Sequence, residues 1–430
     1  MQIAIHYGQA TLPLRIPEEN CAGLIVPCQE QIHPGRNQGL LSSAIKTNQV
    51  AFKEHIRSRK LCVLLPDATR DLPVSDCLTA VAPLLQKAAS IRFILCTGTH
   101  PAKTHGNLVL CDQVRQICQT ADLHTCDIMV HDCQDADFID IGNTRRGTVV
   151  RCNAAIRDRD IFLVLSDVKP HYFAGYSNPV KNFVPGICDY ETARSNHSLT
   201  LDAASGFCAH PYHPDPARQN QPLAADQVEA MEQIVQGRPV YALTTISSHR
   251  AIQWAAFGPV REVSARAFAQ ADQLNLHIIH PVERLIVSPG GHPNDMDMYI
   301  AQRALELTEQ AVNDGGEILF CSACRHGIGP ANSMDHFWNL LTLPFDQIYQ
   351  AVQGRYKMFS HKPYRFARLI QRLRQLWVCS ELTDDQILAA HMQPTHHPQQ
   401  IIDNWIQDNP QVRILVIDGA NKIGIQRHVF

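Results

Sequence analysis

Leu61-Cys62-Val63-Leu64-Leu65-Pro66-Asp67-Ala68-Thr69-Arg70 is an apolar run of strand length that ends on an acid, a hydroxyl and a guanidinium. A short continuous apolar run bounded by a polar turn reads as a strand buried on both faces. The pattern recurs along the chain. Ile91-Arg92-Phe93-Ile94-Leu95-Cys96 runs into Thr97-Gly98-Thr99-His100, and Ile161-Phe162-Leu163-Val164-Leu165-Ser166 runs into a loop carrying His171 and Lys181. Glu283-Arg284-Leu285-Ile286-Val287-Ser288 runs into Pro289-Gly290-Gly291-His292-Pro293. In open α/β sheets, ligands bind outside the carboxyl ends of the strands. Polar loops at these ends therefore predict one crevice holding an acid, histidines, an arginine and a lysine. That composition suits an enzyme active site better than a protein-binding surface.

Helix-like stretches separate the strands. Ser75 is expected to cap a helix through Leu78, Val81, Leu84 and Leu85, kinked at Pro83, and Thr104 to cap one through Leu108, Val114 and Ile117. An amphipathic helix is expected over 262–273, then a strand at Leu276–Ile279. Further helices are expected over 296–311, 364–376 and 384–391. Residues 205–238, rich in Pro, Ala, Gln and His, read as an excursion. Alternating β and α implies parallel sheets covered by helices. At 430 residues, two domains are the default. The expected fold is α/β: two α/β domains with mainly parallel sheets and an active-site cleft between them. The first would span 1–272. The second would span 280–430 and close the cleft, its last strand able to return to the first.

Composition narrows the function classes. Lys and Arg total 38 against 41 Asp and Glu, a net charge of −3, which favours neither nucleic acid nor an anionic membrane. No apolar run approaches the roughly 20 residues of a bilayer span. The first residues lack the pattern of a signal peptide. The 15 cysteines are an odd number, and many lie inside apolar strand runs. Reduced, buried thiols in a cytoplasmic protein are expected. There is no His-Glu-x-x-His, no phosphate-binding glycine loop of the common nucleotide folds and no Gly-x-Ser-x-Gly elbow. Cys321-x-x-Cys324 is a single pair, too little for structural zinc.

The segment from Lys169 to Ser198 carries the most chemistry. It places His171, Tyr172, Phe173 and Gly175 before Lys181, and His197 beyond it. A lysine in a partly apolar loop can lose its proton and become a nucleophile. A neutral imidazole can bind a transition metal. Arg70 can grip a carboxylate or phosphate bidentately. His100, after a buried strand and beside the permissive Gly98, can act as a general base.

Together these loops resemble the lactate racemase family. The matching motifs are Asp67-Ala68-Thr69-Arg70, Thr97-Gly98-Thr99-His100, His171-Tyr172-Phe173-Ala174-Gly175, the stretch 181–186 and Asn196-His197-Ser198. Gly290-Gly291-His292-Pro293-Asn294-Asp295 and Arg325-His326-Gly327 follow in the second half. The resemblance implies a nickel-pincer nucleotide cofactor, the Ni(II) complex of pyridinium-3,5-bisthiocarboxylic acid mononucleotide. It implies attachment of that group to Lys181 through a thioamide and His197 as the protein ligand to nickel. It implies Asp67, Thr69 and Gly98 in cofactor contact, with His100 and His171 as the acid/base pair. Arg70 and, in the second domain, Tyr299, Ile300, Arg303 and His361 fall on the substrate side. The implied reaction is racemisation or epimerisation of a 2-hydroxy acid. One histidine takes the hydroxyl proton, the C2 hydride passes to the cofactor, and return to the opposite face inverts configuration. Cofactor-biosynthesis and nickel-insertion proteins are the implied partners, with no nucleic acid and no membrane.

The chain also departs from the family's familiar pattern. Asn178-Pro179-Val180 stands where Gly-Gly-Arg is usual. Ile300 and Arg303 replace a glutamine and a lysine, and His361 replaces a tryptophan. These substrate-side changes predict a longer or more polar substrate than lactate. Two rival readings remain open at this point: a zinc-type metal hydrolase, and a non-catalytic binder of a carboxylated or phosphorylated small molecule.

Overall fold

The computed structural model describes residues 1–28, 36–70, 72–123, 125–248 and 250–428. The chain divides into two compact units. One is Glu30–Ala271, and the other joins Met1–Gln29 to Asp272–Phe430. The expected first domain of 1–272 is thereby corrected at its start. The hairpin of Gln2–Tyr7 and Ala10–Arg15 buries Ile3, Ile5 and Leu14 in one core with Ile286, Leu319 and Val416. The strand Cys21–Ile25 then pairs in parallel with Ile414–Asp418. The last strand, Gly424–Arg427, pairs with Leu276–Ile279 in its own unit and does not return to the other.

The unit Glu30–Ala271 is built on a six-stranded sheet. Its strands are β1 (Lys60–Pro66), β2 (Ser90–Cys96), β3 (Cys126–Val130), β4 (Ile161–Asp167), β5 (Val240–Ser248) and β6 (Ala251–Pro259). Their order across the sheet is β6-β5-β4-β1-β2-β3. Every neighbouring pair is parallel except the β5–β6 hairpin. Leu61 through Leu65 and Ile161 through Leu165 have no exposed surface, as strands covered on both faces require. The chain moves outward in one direction along β1, β2 and β3, and in the other along β4, β5 and β6. The reversal lies between β1 and β4, and such a switch point opens a crevice at the carboxyl ends of the strands.

Helix α1 (Val74–Leu85) follows β1 and contains Pro83. Ser75 does not cap it. Pro73 sits at the cap position, and the Ser75 hydroxyl donates to Gln113 from inside the helix. Thr104 does cap α2 (His105–Thr120), accepting the Asn107 N–H at 3.2 Å. Beyond α3 (Tyr190–Ser198), the region expected to be a loop excursion contains α4 (Pro222–Val235). Its apolar face, including Leu223, Val228 and Met231, is buried.

The other unit carries a second six-stranded sheet. Strands β7 (Val282–Ser288), β8 (Val312–Cys321), β9 (Gln375–Cys379), β10 (Gln393–Pro394) and β11 (Ile414–Asp418) are all parallel to their neighbours. The order is β10-β9-β8-β7-β11, with Cys21–Ile25 outermost. Helices α5 (Met298–Thr308) and α6 (His361–Arg372) belong to this unit. The helix expected over 364–376 stops at Arg372 because Gln375 already opens β9. Among the described residues, no helix is long and apolar enough to cross a membrane.

Candidate active site

The loops after β1, β2 and β4 bring Asp67, His100 and His171 to the same edge of one sheet, beside its switch point. Asp67 is nearly fully buried at the end of β1. Its Oδ2 lies 2.6 Å from His100 Nδ1. Its Oδ1 accepts from the Thr69 hydroxyl at 2.5 Å and the Thr69 N–H at 3.0 Å. Burial alone would raise the Asp67 carboxyl. The hydrogen bond and charge of His100, the Arg70 charge and the Thr69 hydroxyl outweigh it and hold the carboxyl below its ordinary range. A carboxylate can only accept, so His100 Nδ1 carries the proton and Nε2 keeps the lone pair. Arg70 is exposed, and among the described residues its guanidinium has no hydrogen-bond or ion-pair partner.

The second group forms around Lys181. Its Nζ lies 2.9 Å from His171 Nε2 and 5.6 Å from the centre of the Phe173 ring. His171 stacks on Tyr172 at 5.3 Å and meets Phe173 edge-on at 4.5 Å. Phe173 in turn packs at 5.5 Å against His197. Burial, aided by the Arg70 charge, pushes the Lys181 ammonium down to about 7. His171 Nδ1 accepts the Ala174 N–H at 3.4 Å. A neutral imidazole has one acceptor nitrogen, so Nε2–H then donates to an unprotonated Lys181 amine. Geometry and burial thus make the neutral, nucleophilic form of the lysine accessible at neutral pH.

His197 lies in the last turn of α3 and is nearly fully buried. Its Nδ1 donates to the Ala193 carbonyl at 2.8 Å, which leaves the lone pair on Nε2. Burial and the Lys181 charge push its pKa down to about 4, so it is neutral at neutral pH, as a metal-binding imidazole must be. Asp189 caps α3 by accepting the Thr192 N–H at 2.8 Å. Asn196 donates to Asp226 on α4 at 2.8 Å, and Thr144 and Thr148 donate to the same carboxylate. This buried network holds the helix that carries His197. Asp226 lies in the stretch read from sequence as an excursion, so its anchoring role was missed.

Backbone geometry joins the two groups. Gly98 adopts φ +56° and donates its N–H to the Gly186 carbonyl at 3.1 Å. A Cβ on Gly186 would fall 2.1 Å from the Asn182 carbonyl oxygen. Gly186 N–H also closes the Lys181 turn by donating to the Lys181 carbonyl at 3.0 Å. Gly186→Ala is expected to cost about 1–3 kcal/mol, the usual range for forced overpacking. Thermal unfolding of the two proteins tests this, and an unchanged midpoint refutes it.

Three of the proposed substrate-side residues lie together on α5 of the other unit. Tyr299 and Ile300 are half-buried in its first turn, where the Ile300 N–H donates to the capping Asp297 at 2.8 Å. Arg303 Nε reaches Asn421 Oδ1 at 3.4 Å. His361 opens α6, is fully buried, and pairs its Nδ1 with the Tyr356 hydroxyl at 2.7 Å. Sequence reading missed Lys362. Its Nζ donates to the Tyr299 carbonyl at 2.8 Å and sits 3.9 Å from the centre of the Tyr299 ring. Burial, then the Arg303 charge, pushes it down to about 7. No periodicity or motif in the sequence signals a buried lysine at this position.

The donor set suits one group better than another. Among the described residues, no three His, Cys, Asp or Glu side chains converge as a metal-ligating cluster, whereas a catalytic zinc site takes three protein ligands. A lone neutral histidine beside a deprotonated lysine instead fits a metal that arrives with other donors on a group tethered through the amine.

Comparison with known proteins places the chain in a family. The lactate racemase N-terminal domain profile matches residues 7–207, and the lactate racemase C-terminal domain profile matches residues 279–420. A lactate racemase of Lactiplantibacillus plantarum is 22% identical over 407 residues, covering 91% of each chain. One of Thermoanaerobacterium thermosaccharolyticum is 21% identical over 337 residues, covering 76% of this chain and 75% of that protein. The solved lactate racemase apoprotein of the latter organism superposes with a TM-score of 0.82 at 18% identity, over 99% of this chain and 100% of its own. A solved Thermotoga maritima protein gives a TM-score of 0.62 at 13% identity, over 93% and 100%.

Proposed function

The chain belongs to the lactate racemase family, and from that premise we propose that it racemises or epimerises a 2-hydroxy acid with a nickel-pincer nucleotide held on Lys181. Family membership makes it an isomerase. The observation that carries the finer reading is the convergence of an unprotonated Lys181, His171 and neutral His197 around Phe173. Lys181 would hold the cofactor covalently, and His197 Nε2 would face its nickel. Asp67, Thr69 and Gly98 belong to the loops at the same sheet edge and are proposed as further cofactor contacts. When bound, this group accepts a hydride from substrate C2 and returns it.

The chain's own residues manage the proton and the carboxylate. Arg70 offers an uncommitted guanidinium fork for the substrate carboxylate. Asp67 fixes the His100 tautomer, so Nε2 is the atom that takes or returns the hydroxyl proton. His171 is the second base. Inversion needs a base on each face of the planar keto acid, and so each histidine serves one enantiomer as acid and the other as base.

We further assign Tyr299, Ile300, Arg303 and His361 to substrate selection. Ile300 offers no hydrogen bond, whereas Arg303 offers a fork suited to a second carboxylate or several hydroxyls. A longer or more polar 2-hydroxy acid, such as a sugar acid or a dicarboxylate, is therefore expected to exceed lactate in kcat/KM. Groups built to pair with extra oxygens penalise a substrate that lacks them. A panel of enantiopure 2-hydroxy acids on the matured enzyme tests this, and lactate ranking first overturns it. The wider reading is tested by native mass spectrometry with metal analysis. It expects nickel and added mass on the Lys181 peptide, and zinc with unmodified Lys181 would refute it.

A further inference from the structure

The opposite edge of the same sheet holds a second feature. At the amino ends of β1, β4 and β5 lies a cavity of about 490 Å³. Lys60, Arg157, Arg159 and Arg238 line it together with Asp158 and Asp160, so the lining carries four cations against two carboxylates. Strands of this length place it roughly 20 Å from the catalytic loops, and the proposed cofactor and substrate contacts use none of these residues.

The charges differ in how they are compensated. Asp158 pairs with Arg159 through both oxygens and stands 3.6 Å from both Lys60 Nζ and Arg92 Nη1. The Arg159 hydrogen bond, against a small burial penalty, and the charges of Arg159, Arg92 and Lys60 lower its carboxyl to about 2. Asp160 Oδ2 accepts the Lys60 N–H at 2.8 Å. Among the described residues, Arg238 has no carboxylate in an ion pair with it. Its guanidinium is clamped by the carbonyls of Ile234, Val235, Ile156 and Arg159 at 2.6–3.0 Å, over the Phe162 ring at 5.0 Å. Neutral carbonyls satisfy its N–H groups and leave its charge in place. Arg157 is exposed, and among the described residues its guanidinium has no hydrogen-bond or ion-pair partner. One fixed cation and two adjustable ones around a cavity of this size form an anion site, in which the guanidinium of Arg238 is already in place and only the Arg157 and Lys60 side chains must order on binding.

We propose that this cavity binds a compact polyanion, a phosphate ester or a polycarboxylate, at a site separate from the catalytic one. Guanidinium groups recognise both chemistries by the same bidentate geometry. Arg238 would supply the fixed charge, and Arg157 and Lys60 would close on the ligand.

Titration calorimetry on the full-length chain tests this with two probes, inorganic pyrophosphate and citrate, at constant ionic strength. The expected result is one saturable site for at least one probe, and the stronger probe identifies the source chemistry. Arg157→Ala combined with Lys60→Gln should weaken it about tenfold, the effect of two partly screened charge contacts. Both residues are exposed, so the variant keeps its unfolding midpoint; Arg238→Ala is avoided because it would strip four carbonyls of their donor. Arg70→Ala, at the other edge of the sheet, should leave the affinity unchanged. No saturable binding of either probe overturns the proposal. So does affinity unchanged in the double variant, or affinity lost in Arg70→Ala.

Discussion

Lys181→Ala is expected to abolish covalent loading of the protein and, with it, all racemisation above background. The surroundings of the lysine suit it to that proposed task. Its amine is turned onto His171 at 2.9 Å and set beside an aromatic face. A pKa near 7 leaves about half of it unprotonated at neutral pH, against roughly one part in three thousand for an ordinary lysine. On the proposed reading, removing it takes away the attachment point of the group that would carry the hard chemistry. Enzymes accelerate their reactions by about 10⁶-fold or more, so losing that group forfeits essentially the whole rate. Lys181→Arg keeps a positive charge but has no accessible neutral form, and should fail equally. His197→Ala should leave the mass of the Lys181 adduct intact while lowering nickel content. Intact-mass and metal analysis of protein matured with the cofactor-biosynthesis proteins decides the matter. An adduct on another residue, or full activity without nickel, would sink the assignment.

His100→Ala and His171→Ala should each lower turnover by about 10²–10⁴-fold, the usual contribution of a general acid–base. The loss should appear in both directions, because one histidine acts as acid and the other as base in every racemisation. The two variants should part company on loading. His100 touches Asp67 and Thr69, so its loss should spare the Lys181 adduct. His171 is the amine's own neighbour, so its variant is to be compared per loaded molecule. Initial rates from each enantiomer, normalised to adduct content, give the readout. Near-normal normalised rates in both variants would make these histidines structural and the mechanism wrong.

Much of the fold was legible in the sequence. The apolar runs at Leu61–Pro66, Ile91–Cys96 and Ile161–Ser166 are strands because buried parallel strands need apolar residues on both faces. The polar residue after each run marks the loop that faces the ligand side. Thr104 was readable as a cap because its hydroxyl directly precedes the periodic run of α2. Ser75 misled for a local reason: Pro73 already starts that helix, so the serine falls inside it. The helix Pro222–Val235 was obscured by the Pro- and His-rich stretch before it, although Pro222 at its first turn is a usual start.

The residue types and their order along the chain determined the α/β class, the strand-end loops and the candidate reacting groups, since these follow from local hydrophobicity and side-chain chemistry. Only the tertiary structure decided which groups meet and how they ionise. Asp67 finds His100, and Asp226 finds Asn196, across folded space rather than along the sequence. The strand Cys21–Ile25 joins the sheet of the C-terminal unit through main-chain hydrogen bonds, which leave no partner's name in the side chains. A lysine with a pKa near 7 and a histidine near 4 are properties of burial and neighbouring charge. Neither exists until the chain has closed around them.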